Sequence, residues 1–214
     1  MENIHLVNAL PLVFSNRTDI TSDVWLKDLV FQKGNTYLIE ANSGTGKSSL
    51  LSFIYGYRKD YQGDICFDGK KIDELTIGQW TYLRQNVLSL MWQELRLFPE
   101  LTAMENVRIK NNLTGFQKKK QINTWFDRLG IEDKKDVLVG KMSFGQQQRV
   151  ALIRALCQPF DFIFLDEPVS HLDESNAMIM ADILMDEARQ QGAAVIVTSI
   201  GKRMNINYDY LLNL

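Results

Sequence analysis

Apolar positions along the chain follow two rhythms. Near-continuous apolar runs at residues 35–40, 87–92, 162–165 and 193–198 have the length of strands. Runs without polar alternation belong to strands covered on both faces, as in a parallel sheet between helices. Residues 63–69, Gly-Asp-Ile-Cys-Phe-Asp-Gly, predict a short strand closed by an Asp-Gly turn. From Lys47 the sequence Lys-Ser-Ser-Leu-Leu-Ser-Phe-Ile-Tyr places its apolar residues at helical spacing. Strand, glycine-rich loop and helix therefore succeed one another between residues 35 and 55. Over residues 101–158 the spacing becomes helical, most clearly at 116–129 and 145–156, before strands return. The pattern predicts an α/β protein with a helical segment inserted between its strands.

With 214 residues, 45% of them hydrophobic, the chain is long enough for one globular unit with a substantial core and room for a subdomain, whereas two independent domains would be cramped. A net charge of -2 excludes the global basic field that drives non-specific binding to nucleic acid or to membrane surfaces. Lys118, Lys119 and Lys120 are expected on a solvated helix face. Cys66 and Cys157 form neither a metal-type pair nor a disulfide framework, and both are expected buried and reduced. The first residues, Met-Glu-Asn-Ile-His, lack the basic start and apolar core of a signal peptide, and no apolar run is long enough to cross a bilayer. A cytoplasmic location follows, with any membrane attachment made through a partner.

Chemistry begins in the loop Ala41-Asn42-Ser43-Gly44-Thr45-Gly46-Lys47-Ser48. Glycines at 44 and 46 let backbone N–H groups curl around phosphate oxygens, while Lys47 reaches the β- and γ-phosphates and the Ser48 hydroxyl can bind Mg²⁺. Ser49 follows at the start of the helix, whose dipole also favours an anion. Alanine stands at the first position, where the motif has glycine; a left-handed backbone there would cost about 1 kcal/mol. The run Phe-Ile-Phe-Leu at 162–165 then ends in Asp166 and Glu167, putting two carboxylates at the carboxyl edge of a buried strand. One can hold the metal while the other orients or deprotonates water.

Four further segments narrow the family. They are Gln93 with the following 94–102 loop, Ser143-Phe144-Gly145-Gln146-Gln147-Gln148-Arg149, Ser170-His171-Leu172-Asp173, and the strand ending in Thr198-Ser199. Together with the phosphate loop and the paired carboxylates, they resemble in order the motifs of ATP-binding cassette (ABC) ATPases. The resemblance covers nearly the whole chain. It implies a phosphate-loop NTPase with a RecA-like, mainly parallel sheet formed by residues 1–92 and 159–214. A small antiparallel β subdomain at the N-terminus and a helical subdomain at 93–158 would complete a single ABC domain.

The implied cofactors are ATP and Mg²⁺. Asn42, Ser43, Gly44, Thr45, Gly46, Lys47, Ser48 and Ser49 would hold the nucleotide, with Ser143, Gly145 and Gln146 facing the γ-phosphate of a second subunit. Phe14 is the candidate to stack on adenine. Ser48, Gln93 and Asp166 would meet the metal, and Glu167 and Gln93 the attacking water. The resemblance also implies a second ABC subunit, identical or not, and transmembrane permease subunits contacted through residues 94–102. Leu97, Phe98 and Leu101 could serve that contact or simply fill the core. His171 is expected as an exposed loop histidine.

Two positions depart from the family pattern. Phe144 replaces a glycine, placing a ring where a second subunit would approach. Ser199 stands where a switch histidine is expected, with shorter reach and no positive charge. ATP binding with slow hydrolysis is the resulting expectation. The short chain looks like the compact class serving lipoprotein release, macrolide export and cell-division complexes, peripheral on the inner face of the membrane. Alternatives are a regulatory or mechanotransmitting ATPase on a membrane partner and a soluble ABC protein of DNA repair or translation. The absence of a coiled-coil insertion and of a basic surface weighs against the last.

Overall fold

The computed structural model describes residues 1–42 and 44–214. Strands β1 (Asn3–Pro11), β2 (Asp28–Gln32) and β3 (Thr36–Glu40) precede helix α1 (Lys47–Ile54). Strands β4 (Tyr61–Phe67) and β5 (Lys70–Lys71), helix α2 (Ile77–Asn86) and strand β6 (Leu88–Met91) follow. Helices α3 (Ala103–Asn111), α4 (Lys119–Arg128) and α5 (Phe144–Leu156) come next, then β7 (Phe162–Asp166), α6 (Glu174–Gln191), β8 (Ala194–Ser199) and β9 (Tyr210–Asn213).

Two sheets organise these elements. The first is antiparallel in the order β2-β1-β4-β5, and the second runs β6-β7-β8-β3-β9 with every pairing parallel. Period-two geometry splits the parallel strands between two cores. Ile163, Leu165, Val195 and Val197 face the cluster built with α3 to α6. Phe162, Phe164, Ala194 and Ile196 face α1 and the antiparallel sheet. Both faces are thus covered, which is why these strands read as uninterrupted apolar runs.

Helix ends follow local chemistry. Thr102 begins α3 with a reciprocal cap, its hydroxyl accepting from the Glu105 N–H while the Glu105 carboxylate accepts from the Thr102 N–H at 2.8 Å. Asp173 caps α6, and Gly192, at φ +60°, ends it. The helix expected from residue 116 starts instead at Lys119. Asn111 explains the delay: its side chain accepts from the Gln117 N–H at 2.9 Å and donates to the Gln117 carbonyl at 3.0 Å, pinning the preceding segment as a turn. Lys118, Lys119 and Lys120 are exposed, while Cys66 and Cys157 are buried free thiols. No helix among the described residues is long and apolar enough to cross a membrane.

Candidate functional site

The parallel sheet delivers β3 and β7 as near neighbours, with β8 between them, so their carboxyl ends open onto the start of α1. Gly44 and Gly46 lie at φ +82° and +103°, a region a side chain would oppose. A Cβ on Gly46 would also crowd Trp25 and Phe14, at 3.1 and 3.2 Å. Ala41 is not among the described positive-φ residues, so alanine brings no left-handed strain at that position. Ser43 lies outside the described residues. Thr45 closes the loop by donating its hydroxyl to the Asn42 carbonyl at 2.9 Å, and its own carbonyl accepts the Trp25 indole N–H at 3.0 Å.

Lys47 is buried and donates to the carbonyls of Ala41 and Asn42, both at 3.3 Å. Burial pulls its ammonium below the ordinary value, against the opposing effects of Glu167 and Asp166. The Ser48 hydroxyl donates to Asp166 Oδ2 at 2.9 Å, while Thr198 donates to Asp166 Oδ1 at 2.5 Å. Asp166 is thus buried and fixed from both sides. Glu167 reaches to 3.9 Å from Lys47 Nζ, and burial raises its carboxyl above the usual range. Its backbone sits at φ +50°, a left-handed conformation costing a glutamate about 1–2 kcal/mol.

A cavity of about 450 Å³ gathers Phe14, Gly44, Lys47, Ser49, Gln93 and Glu167 around this centre, with Ser48 and Gly46 also on its wall. Val13, Ile200 and Arg58 line it too. Phe14 carries the Arg17 guanidinium 4.7 Å from its ring centroid. Sequence reading missed Arg58, which is oriented by Asp60 and donates to the Ser49 hydroxyl at 3.0 Å. It lies outside every motif, and only its place just beyond α1 could have pointed to it. Thr198 was missed as the partner of Asp166, although its position at the end of an adjacent strand was a usable signal.

Ser199 ends β8. It is buried, it does not line the cavity, and its hydroxyl donates to the Lys202 carbonyl at 2.8 Å. In this arrangement its hydroxyl closes a turn, and Ile200 stands on the cavity wall.

Ser143, Gly145 and Gln146 are brought together at the start of α5, and none lines the cavity. Ser143 caps the helix by accepting from the Gln146 N–H at 3.3 Å, and the Gln146 side chain accepts from the Ser143 N–H at 3.0 Å. A Cβ on Gly145 would come within 3.1 Å of the His171 carbonyl, so this helix start fits closely on the 170–173 loop. Phe144 turns onto His171, ring centroids 4.5 Å apart, and remains 40% exposed. Gln148 donates to the Ser170 hydroxyl at 3.2 Å.

The 94–102 loop divides its apolar residues. Leu95 is buried, Leu97 packs partly on the core, and Phe98 is half exposed. Asn106, fully buried, pins Phe98 by accepting from its N–H at 2.8 Å and donating to its carbonyl at 3.0 Å.

A phosphate loop facing two strand-end carboxylates defines a phosphate-loop nucleoside triphosphatase. Residues 27–170 match the ABC transporter family. The chain is 34% identical over 188 residues to the ABC transporter ATP-binding protein YclH of Bacillus subtilis, covering 84% of this chain and 82% of that one. It is 31% identical over 201 residues to the lipoprotein-releasing system ATP-binding protein LolD 1 of Caulobacter vibrioides, covering 92% and 86%. The dimeric structure of the bacterial ABC transporter cassette MJ0796 superposes with a TM-score of 0.77 at 26% identity, covering 92% and 87%. Its post-hydrolysis dimer with ADP and Pi gives 0.72 at 25% identity, with the same coverage. The chain belongs to the ABC transporter family of ATP-binding, ATP-hydrolysing cassettes.

Proposed function

We propose that this chain is one half of a paired ATPase that drives a membrane partner, closing on ATP and reopening after hydrolysis. One observation carries the reading: Lys47, Ser48, Gln93 and Glu167 line one cavity, while Ser143 and Gly145 stand together outside it. The serine hydroxyl, the first-turn N–H groups and the helix dipole of α5 form an anion site with no phosphate loop of its own chain to serve. A second cassette, arranged head to tail, supplies the phosphate.

Asn42, Gly44, Thr45, Gly46 and Ser49 cradle the phosphates with Lys47, and Phe14 borders the base. The donor set of Ser48 hydroxyl, Asp166 carboxylate and Gln93 amide is all oxygen, which suits Mg²⁺. Among the described residues no cluster of acidic, histidine or cysteine side chains forms a metal cage. The ion would therefore be shared with the nucleotide, supplying charge neutralisation at the phosphates. Glu167 holds the attacking water and takes its proton. With no imidazole at position 199, hydrolysis is slow.

The 94–102 loop faces the membrane subunits, which hold the chain on the inner surface of the membrane. A relative named as the ATP-binding protein of a lipoprotein-releasing system supports the reading of a partner complex. Glu167→Gln should leave ATP binding intact, cut turnover at least about 100-fold and trap an ATP-dependent dimer visible by size exclusion. A monomer at saturating ATP, or undiminished turnover, would refute the proposal.

A further inference from the structure

The turn after β7 leaves a largely buried carboxylate and an imidazole without answering partners. Among the described residues the Glu167 carboxylate accepts no hydrogen bond, and its ion-pair partner Lys47 stands 3.9 Å away. Four residues on, His171 bonds through Nδ1, to the Ser170 hydroxyl at 2.9 Å, and Nε2 has no partner among the described residues. Two short turns bring these residues round to each other. The Ser170 N–H donates to the Glu167 carbonyl at 3.4 Å, and the Leu172 N–H to the Val169 carbonyl at 3.3 Å. His171 is accordingly among the charged neighbours that act on Glu167.

The imidazole is fixed from its other side. Gln148, almost fully buried on α5, donates its amide N–H to the Ser170 hydroxyl at 3.2 Å. With that lone pair filled, the single hydroxyl proton points to His171 Nδ1. Nδ1 therefore accepts, and the neutral ring carries its own proton on Nε2. Phe144, standing in place of a glycine, meets the imidazole edge-on with ring centroids 4.5 Å apart. The His171 carbonyl lies where a Cβ on Gly145 would come within 3.1 Å, so the loop cannot drift from the start of α5.

Nucleotide creates the demand for this donor. Phosphates that engage Lys47 compete with Glu167 for its cation, and a largely buried carboxylate without a donor is costly. Ser199 offers no imidazole and bonds elsewhere, to the Lys202 carbonyl. The chain has two histidines, and His5 is engaged with Asp28 at 2.5 Å on the antiparallel sheet. His171 is the imidazole that remains.

We propose that His171 is a positioning residue for hydrolysis: in the ATP-bound chain its Nε2–H donates to one Glu167 carboxylate oxygen, leaving the other to take the proton of the attacking water. The ring keeps its proton throughout. An imidazole missing from the end of β8 is thus supplied by the 170–173 loop, with Phe144 and the Gln148-Ser170 relay holding it in place. The proposal rests on the reading of Glu167 as the base, and adds what aims it.

Single-turnover hydrolysis by the full-length chain at saturating ATP and Mg²⁺ reads the effect. His171 is exposed, so its substitution spares the core. His171→Ala should cut the rate about 30-fold with ATP affinity unchanged within about twofold. His171→Gln, whose amide presents an N–H at similar reach, should stay within about fivefold of the parent. In the Glu167→Gln background, His171→Ala should cost no more than about twofold further, because the group it aims is gone. Nitrogen-15 spectra of the imidazole should place its proton on Nε2, and Ser170→Ala should let the Nδ1–H form appear. An unchanged rate in His171→Ala, equal losses in the alanine and glutamine variants, a further loss of about tenfold in Glu167→Gln, or a parent ring protonated on Nδ1 would each overturn the proposal. Undiminished turnover in Glu167→Gln would instead remove the base reading itself; if that variant stops turnover while His171→Ala does not slow it, only this inference fails.

Discussion

Lys110→Met should make the isolated chain more stable, although it deletes a hydrogen bond. The lysine falls from an ordinary 10.5 to about 8, with burial the first cause and Arg154 the second. At about 1.4 kcal/mol for each tenfold change, this corresponds to about 3 kcal/mol against the charged form. The sign follows from proton counting. Between pH 8 and 10.5 the folded chain binds fewer protons than the unfolded chain, so this group's contribution to stability rises with pH across that window. Below pH 8 the penalty is complete. Methionine escapes it but forfeits the bond to the Arg84 carbonyl, worth about 1 kcal/mol. The variant should therefore gain about 1–2 kcal/mol at pH 7, with the gap shrinking above pH 8 and gone by about pH 10. Urea unfolding followed by tryptophan fluorescence at several pH values reads both quantities. Equal stability at pH 7, or a gap that does not change with pH, would refute the reasoning.

Other outcomes can be stated briefly. Because burial raises the Glu167 carboxyl, the acidic limb of kcat/KM should have its midpoint above the ordinary 4.5, since a base must be deprotonated to accept a proton; a midpoint at or below that value counts against its role. Ser199→Ala should lower stability by about 1 kcal/mol through the lost bond to Lys202 and leave turnover within about twofold. A large fall in turnover at unchanged ATP affinity would restore a catalytic part for the hydroxyl. Phe164→Ala should cost about 3–5 kcal/mol in chemical denaturation, because the ring is almost fully buried between the parallel sheet and its neighbours.

Parallel strands β3, β6, β7 and β8 were legible because burial on both faces writes a continuous apolar run, as in Phe162 to Leu165, whereas the largely exposed edge strand β9 was not. Helix α1 was legible through the glycine loop before it. Helix α2 was not: its buried side chain is Trp80 alone, so no apolar stripe betrays it. Helix α6 also escaped notice, though Asp173 and Gly192 mark its ends. At the site, motif order named the residues that converge on the cavity, since their spacing reflects backbone requirements at fixed points of the sheet. The bond from Ser199 to the Lys202 carbonyl was not legible, because sequence fixes where a side chain is attached, not which way it turns. Its proximity to Lys202 arises only when the chain bends back after β8. Arg58 was invisible for a similar reason, being placed by Asp60 and Ser49 and by no motif.

Helix α5 meets two loops, 170–173 and 94–102, along 13 residues, about 20 Å of rod. Its first turn carries Phe144 onto His171, its middle ties Gln148 to Ser170, and near its end Arg154 grips the carbonyls of Leu95 and Arg96. The start of α5, which holds the 170–173 loop, and its end, which holds the 94–102 loop, are therefore joined by one helix, so the two loops share one support.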